Sequence, residues 1–356
     1  MPVSELPATR RGSAILFLRR HWVPLSASLL VAGGFFWLMH QGALPVLPDA
    51  AAQRQMSWAA IPLYALLFTV QLVVRAARWY WLLAPIHKVD MRRILLVSFV
   101  FYGATVALPF RMGEAVRPAL IRQKDKLSAW AATGTVAAER VVDGLFASLI
   151  LFFSLQLAQP LDPLPDTIGG LPVPAALVPQ AAYSAVALFA ILFVAILVFY
   201  LWRNWARRTT ERVIGIASPK LATWLAEKVD RLADGFRFLP QWRYSLPFLL
   251  ATAVYWFLNA FGMWFLMRAA GLEQIEFAEA MAIMGVLSLG MLVPNAPGFF
   301  GTFQISVYAG LAMYRPAHEI VAAGSVAVFW MYVLQVGLNL LGGIIATVSE
   351  VRYRPG

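Results

Sequence analysis

Leu108-Pro109-Phe110-Arg111-Met112-Gly113-Glu114-Ala115-Val116-Arg117 sets two arginines, a glutamate and two helix breakers inside an otherwise apolar region. In a bilayer each ionised side chain costs roughly 2.5–3.5 kcal/mol on insertion scales, and an unpaired backbone group costs more again. A chain that keeps such a segment at membrane depth must bury it in protein or line a wet cavity with it. That makes this stretch the leading candidate for a site.

The surrounding composition is that of a polytopic membrane protein. Of 356 residues, 60% are hydrophobic and 13% charged, where soluble domains carry about 25% charged residues, and the mean hydropathy is +0.69. The 29 Lys and Arg against 18 Asp and Glu give a net charge of +11. The basic residues sit at the flanks of apolar runs, so positive-inside topology explains the excess and a nucleic-acid partner is not expected. Zero cysteines exclude disulfides and thiolate chemistry. His21, His40, His87 and His318 form no i, i+4 pair, so no metal centre is expected.

Apolar runs of spanning length lie near 22–40, 57–83, 128–158, 179–202, 245–268 and 317–348. The first follows Arg10, Arg11, Arg19 and Arg20 and reads as an uncleaved span. Two further runs are broken. Arg93 to Ala107 covers about 15 residues, or about 22 Å against a ~30 Å hydrocarbon core, before Pro109 and Gly113. Phe277 to Val293 breaks at Pro294-Asn295-Ala296-Pro297-Gly298-Phe299-Phe300-Gly301 and resumes to Tyr314.

Charge placement sets the topology. Arg92 and Arg93 precede the first broken run and Arg122, Lys124 and Lys126 follow it, so both its ends read as cytoplasmic. The loop 159–180 has no Lys or Arg and reads as external, as does the acidic stretch with Glu273, Glu276 and Glu279. The expected fold is all-α: six transmembrane helices plus two re-entrant hairpins entering from opposite faces. It is one membrane domain over 1–356, with an inverted-topology repeat of 20–158 on 179–348. Residues 203–243 read as a basic cytoplasmic segment, of which 217–238 is amphipathic and lies on the membrane surface.

The returning arms start at Gly113-Glu114 and Gly301-Thr302, with Thr302 expected as an N-cap, and would aim two helix N-termini at the midplane. Arg111 and Arg117 add full charges suited to a phosphate, and Asn295 adds a neutral donor. Pro118 disfavours helix at Arg117, which points to a regular arm beginning only at Pro118. The alternative is a loop in which Arg111, Glu114 and Arg117 neutralise one another.

The second constellation is Glu139-Arg140-Val141-Val142-Asp143. Glu139 and Asp143 share one helical face, and Arg140 reaches Asp143 at i+3. Such intramembrane charges mark a site, or else a structural ion pair holding this span to the hairpin. Arg75 and Arg78, beside Trp79-Tyr80-Trp81, read as snorkelling residues at an interfacial belt. Asn259, Gln335 and Asn339 read as polar contacts between helices, and Gly262, Gly337, Gly342 and Gly343 as packing. No P-loop, GxGxxG, HExxH or GxSxG motif is present.

Through Pro109-x-Arg111-x-Gly113-Glu114-x-x-Arg117, Glu139-Arg140-x-x-Asp143 and Pro294-x-x-Pro297-Gly298-x-x-Gly301, roughly residues 55–348 resemble the flippase-like membrane family. That family includes the flippase part of lysylphosphatidylglycerol synthase and its stand-alone relatives. The resemblance implies a multi-pass protein of the bacterial or archaeal cytoplasmic membrane that moves a lipid with a polar head group. It implies site roles for Arg111, Glu114, Arg117, Glu139, Arg140 and Asp143. Relatives often carry a glutamate three residues after the last glycine, where this chain has Gln304, and that departure favours an anionic lipid. The expectation is lipid translocation, with no catalysis and no cofactor. The ligand would be a phospholipid or polyprenyl-phosphate-linked lipid, bound by those six residues with Asn295, Gly298, Gly301, Thr302 and Gln304. The alternative is a membrane subunit that presents a lipid to a glycosyl- or aminoacyl-transferase. Both termini are expected in the cytoplasm.

Overall fold

The computed structural model describes residues 33–34, 37, 45–108, 113–125, 127–165, 167–168, 171–172, 177–216, 218–292 and 296–352. The apolar run 22–40, Pro109, Arg111, Pro294 and Asn295 thus fall wholly or almost wholly outside the described residues. The rest is helical. A short α1 (Ala50–Arg54) leads into α2 (Ala60–Ala77) and α3 (Trp79–Leu83), which continue one another. The first broken run gives α4 (Met91–Ala107) and α5 (Val116–Asp125), followed by the 29-residue α6 (Ala129–Leu157). A two-residue ladder of β1 (Thr167–Ile168) with β2 (Leu171–Pro172) precedes α7 (Val178–Leu201). Then come α8 (Arg203–Gly215), α9 (Pro219–Asp234) and α10 (Trp242–Ala269). The second broken run gives α11 (Phe277–Gly290), a 3-10 turn (Pro297–Phe299) and α12 (Thr302–Ala312). The chain closes with α13 (Ala317–Glu319), a π turn (Ile320–Gly324) and α14 (Ser325–Arg352).

Among the described residues four helical stretches are long and apolar enough to cross a membrane: Ala60–Leu83, Val178–Leu201, Trp242–Ala269 and Ala317–Glu350. Their 24 to 34 residues exceed the roughly 20 that a bilayer needs. By contrast α4 has 17 residues and α11 has 14, about 25 and 21 Å at 1.5 Å per residue. Each short helix packs against the leg that follows its break, α4 on α5 and α11 on α12. The sequence reading placed these breaks correctly.

The two turns are built differently. Gly113 lies against α4 so closely that a Cβ there would stand 2.4 Å from the backbone nitrogen of Thr105, so only glycine fits. Residues 113–115 make a single 3-10 turn and α5 begins at Val116. Arg117 is therefore helical, against the expectation of a start at Pro118. Proline is tolerated within the first turn, where its missing N–H has no intrahelical partner. In the second turn Gly298, Phe299 and Gly301 all have positive φ, at 71°, 58° and 85°. Gly301, not Thr302, is the N-cap of α12, and its N–H donates to Gln304 Oε1 at 2.8 Å.

An arginine–carboxylate pair ties the outer ends of each pair of legs. Buried Arg93 on α4 donates to Asp125 of α5 at 3.0 Å, to the Leu120 carbonyl at 2.9 Å, and to Glu350 of α14. Arg315, after α12, donates to Glu279 of α11 at 2.6 Å and to the Gln274 carbonyl at 2.7 Å. The halves also exchange partners: α6 lies along α11, α14 lies along α4, and α2 pairs with α10. Glycine permits the second of these contacts, because Gly103 and Gly343 meet where a Cβ would approach to 2.7 Å. Gly262 against Tyr64 and Gly342 against Phe99 also pack as expected, whereas Gly337 has open space around it.

Beside this body, α9 docks on α6 through Gly134, whose absent Cβ would lie 2.3 Å from the Leu232 carbonyl. Ser218 caps α9, accepting from the Leu221 N–H at 3.4 Å. Its alanines Ala222, Ala226 and Ala233 are buried while Leu221 and Trp224 stay exposed, the two-faced pattern expected of 217–238.

Candidate functional site: a charged cavity between the two halves

Helix α6 carries Glu139 and Asp143 one turn apart, and both turn toward α3, where the chain passes from α2 through Arg78. Arg78 is 0% exposed. Its Nη1 and Nη2 donate to Asp143 Oδ1 and Oδ2, both at 2.6 Å, a two-pronged pairing that fits the planar fork. Nη2 also reaches Glu139 at 2.9 Å, and Nη1 reaches Thr252 of α10 at 3.0 Å. Glu139 then receives Arg117 from α5 at 2.7 Å and Arg140 at 3.3 Å. Arg117 also donates to Ser98 of α4 at 3.2 Å, and its guanidinium lies 4.4 Å from the Phe101 ring and 4.8 Å from Trp79. Ions this deep persist only with partners, since a lone one would cost several kcal/mol in desolvation.

In front of this network lies a cavity of about 360 Å³. Its walls come from both halves: α2, α4 and α6 on one side, and α7, α10, α11, the second turn, α12 and α14 on the other. Arg75, Glu114, Arg140 and Asp143 supply its charges. Arg140 is spread over three carboxylates, at 3.3 Å from Glu139, 3.8 Å from Glu114 and 3.9 Å from Asp143. Arg75 differs. Among the described residues it has no carboxylate and no hydrogen-bond partner, and its Nε is buried and unbonded. Two tyrosine rings hold it instead, Tyr102 at 5.2 Å and Tyr255 at 5.7 Å.

Among the described residues the connected groups are four arginines (Arg75, Arg78, Arg117, Arg140) and three carboxylates (Glu114, Glu139, Asp143), a balance of one positive charge. That excess sits on Arg75, facing the cavity. Such an arrangement attracts an anion and can hold a phosphate oxygen by charge-assisted hydrogen bonds.

Of the residues expected from sequence, Glu114, Arg140 and Asp143 line the cavity. Arg117 and Glu139 do not line it. They lie behind it, 0% exposed, and hold one another and Arg78 in place. Arg117 pairs with Glu139, while Arg111, the other arginine of the expected self-neutralising loop, lies outside the described residues. Arg111 and Asn295 lie outside the described residues. Gly298, Gly301, Thr302 and Gln304 shape the second turn without reaching the cavity, and its rim there is Phe299 and Phe303. Gln304 spends its carbonyl oxygen on the Gly301 N–H. Among the described residues the positively charged groups at the cavity wall are Arg75 and Arg140.

The sequence reading missed Arg75 and Arg78. Both read as snorkelling, but Arg75 lines the cavity and Arg78 is fully enclosed. The available signal was the spacing of Tyr64, Phe68, Gln71 and Arg75, which puts all four on one face of α2. Asn259, Gln335 and Asn339, read as contacts between helices, all line the cavity. Gln335 does join helices, donating to the Tyr64 hydroxyl at 2.9 Å.

Fold and site together define a multi-pass helical membrane protein with a charged cavity between two interleaved halves. Residues 25–341 match the family model described as the lysylphosphatidylglycerol synthase TM region, and the chain belongs to that family. Comparison with curated proteins and with solved structures gave no match. The family points to a membrane role connected with lipids.

Proposed function

We propose that the chain translocates a lipid with an anionic, phosphate-containing head group. In this reading six spans and two re-entrant hairpins form an inverted-topology repeat, 20–158 on 179–348, in the bacterial or archaeal cytoplasmic membrane. Both termini and the segment 203–243 lie in the cytoplasm. The exchange of partners between halves, α6 with α11 and α14 with α4, is what a two-fold relation in the membrane plane produces. Short paired legs enter from opposite faces, and the 3-10 turn of the second meets α4 of the first.

One observation carries the proposal: among the described residues Arg75 makes no salt bridge and no hydrogen bond, and tyrosines enclose its guanidinium at the wall of a cavity of about 360 Å³. That volume falls at the low end for ligand sites, enough for a head group with the acyl or prenyl tails left in lipid. Rocking of one half against the other would expose the head group to each face in turn. The chain itself catalyses no reaction in this scheme.

The test is transport of a head-labelled anionic phospholipid in liposomes containing the purified full chain. Wild-type protein should move it, and Arg75→Gln should slow transport at least tenfold, the loss of a charged hydrogen bond being about 1.5–3 kcal/mol. Full transport by Arg75→Gln sinks the proposal. Movement seen only with an added glycosyl- or aminoacyl-transferase would instead favour a subunit that presents lipid to an enzyme.

A further inference from the structure

The cavity has a second layer that the charges do not explain. Helices α2 and α10 run antiparallel, and two contacts fix their register: Arg78 with Thr252, and Tyr64 against Gly262. Counting along both helices from these contacts puts Gln71 level with Asn259, one turn beyond Arg75 and Tyr255. The offset is about 6 Å. Both amides line the cavity.

These amides are not spent on the protein. Gln71 is only 2% exposed, yet its Oε1 has no partner among the described residues. Trp256, beside them and 6% exposed, has an indole N–H with no partner among the described residues. Asn259 makes no hydrogen bond to the described residues. Gln335 and Asn339 complete the wall, each using its amide nitrogen elsewhere, and among the described residues neither side-chain oxygen has a hydrogen-bond partner. A buried polar group left unpaired costs about 1–3 kcal/mol, so a ligand that answers several of them gains affinity.

Donors and acceptors are mixed in this layer and none is charged. Hydroxyl groups match it, because each both donates and accepts. An amine does not, since the nearby carboxylates are already held by Arg78 and Arg140. Aromatic rings of Trp256 and Phe299 add faces for the C–H surface of a polyol. We infer that this amide layer is a subsite for an uncharged, hydroxyl-rich head group, whose phosphodiester sits one turn away at Arg75. The inference rests on the lipid-site reading above and narrows its substrate to phosphodiester lipids bearing a sugar or polyol.

The experiment is calorimetric titration of the detergent-purified full chain with four dihexanoyl lipids. Phosphatidylinositol has phosphodiester and hydroxyls, phosphatidylethanol has the phosphodiester alone, phosphatidylethanolamine carries an amine, and diacylglycerol lacks phosphate. Phosphatidylinositol should bind at least tenfold tighter than phosphatidylethanol. Gln71→Leu and Asn259→Leu should each cut that preference threefold or more and leave phosphatidylethanol unchanged. Trp256→Phe, which keeps the ring and loses the N–H, guards against a folding defect in the amide variants. Equal binding of phosphatidylinositol and phosphatidylethanol overturns the inference and leaves these amides as seats for water. Phosphatidylethanolamine binding as tightly as phosphatidylinositol overturns it too. Diacylglycerol binding as tightly as phosphatidylethanol would instead overturn the anion site itself.

Discussion

The two broken segments share an arrangement and differ in chemistry. In each, a helix of 17 or 14 residues turns back on glycine, and an arginine–carboxylate pair ties the legs at their outer ends. The ties have opposite polarity: Arg93 opens the first pair of legs, where Glu279 opens the second. At the turn itself the contrast is sharper. The returning leg of the first brings Glu114 and Arg117 into a network of seven ions, while that of the second brings Phe299 and Phe303 to the rim and keeps its polar groups for its own cap. Elements of both halves wall the cavity, and the first half supplies nearly all its charge.

The most damaging way to break this asymmetry is Arg78→Leu. It strands Glu139 and Asp143 without their main partner, and removing one member of a buried pair typically costs about 3–5 kcal/mol. Thermal unfolding of the purified protein should show a large loss, or no folded protein at all. A mild effect would mean that Arg117 and Arg140 compensate.

Next come the turns. Gly113→Ala must push apart backbone already in contact with Thr105, an overpacking cost of about 1–3 kcal/mol. Gly301→Ala is penalised for its φ of 85°, about 1–3 kcal/mol as backbone strain. Unfolding midpoints give the size of both effects. Lipid binding separates them: the first variant should also lose affinity, because Glu114 moves with the turn, and the second should not.

Gln304 sharpens the comparison with a smaller effect. Gln304→Ala removes the acceptor for the Gly301 N–H and should cost about 1 kcal/mol, the usual value of a cap. Gln304→Glu keeps an acceptor and should keep stability. Neither should alter affinity for an anionic lipid, measured by the same titration. A tenfold weakening in Gln304→Glu would bring this side chain back into the binding site.

The smallest effect is expected far from both turns. Arg207 pairs with Glu211 one turn along α8 at 3.0 Å, on the exposed surface. Exposed pairs of this kind contribute little. Arg207→Ala should leave the melting temperature and lipid transport unchanged, and a loss of transport would assign α8 a role in the mechanism.

Some of this was legible from one chain because it rests on local rules. Proline and glycine inside apolar runs mark the breaks, since both resist helix interiors. Spacing of four residues put Glu139 and Asp143 on one face, and both meet Arg78. Arg75 and Arg78 were misread because snorkelling and burial look identical in sequence: an arginine near a helix end, flanked by aromatics. Only the position of α6 and α10 tells them apart. The cap made by Gln304 escapes a sequence reading for a related reason. Its partner is a backbone N–H three residues earlier, and the φ of 85° that creates this cap is invisible in the letters.

The amino-acid order by itself determined a multi-pass helical protein, where its helices break, and that charge had to be hidden near those breaks, because hydrophobic period and helix-breaking residues act over a few neighbours. Tertiary packing alone decided which charges pair and which one is left over. Arg78, Arg117 and Arg140 find carboxylates up to 65 residues away or as near as the adjacent residue, while Arg75 is met by tyrosines. Ion pairing depends on distances of 3 to 4 Å between helices, and that spacing is fixed only when all of them have docked.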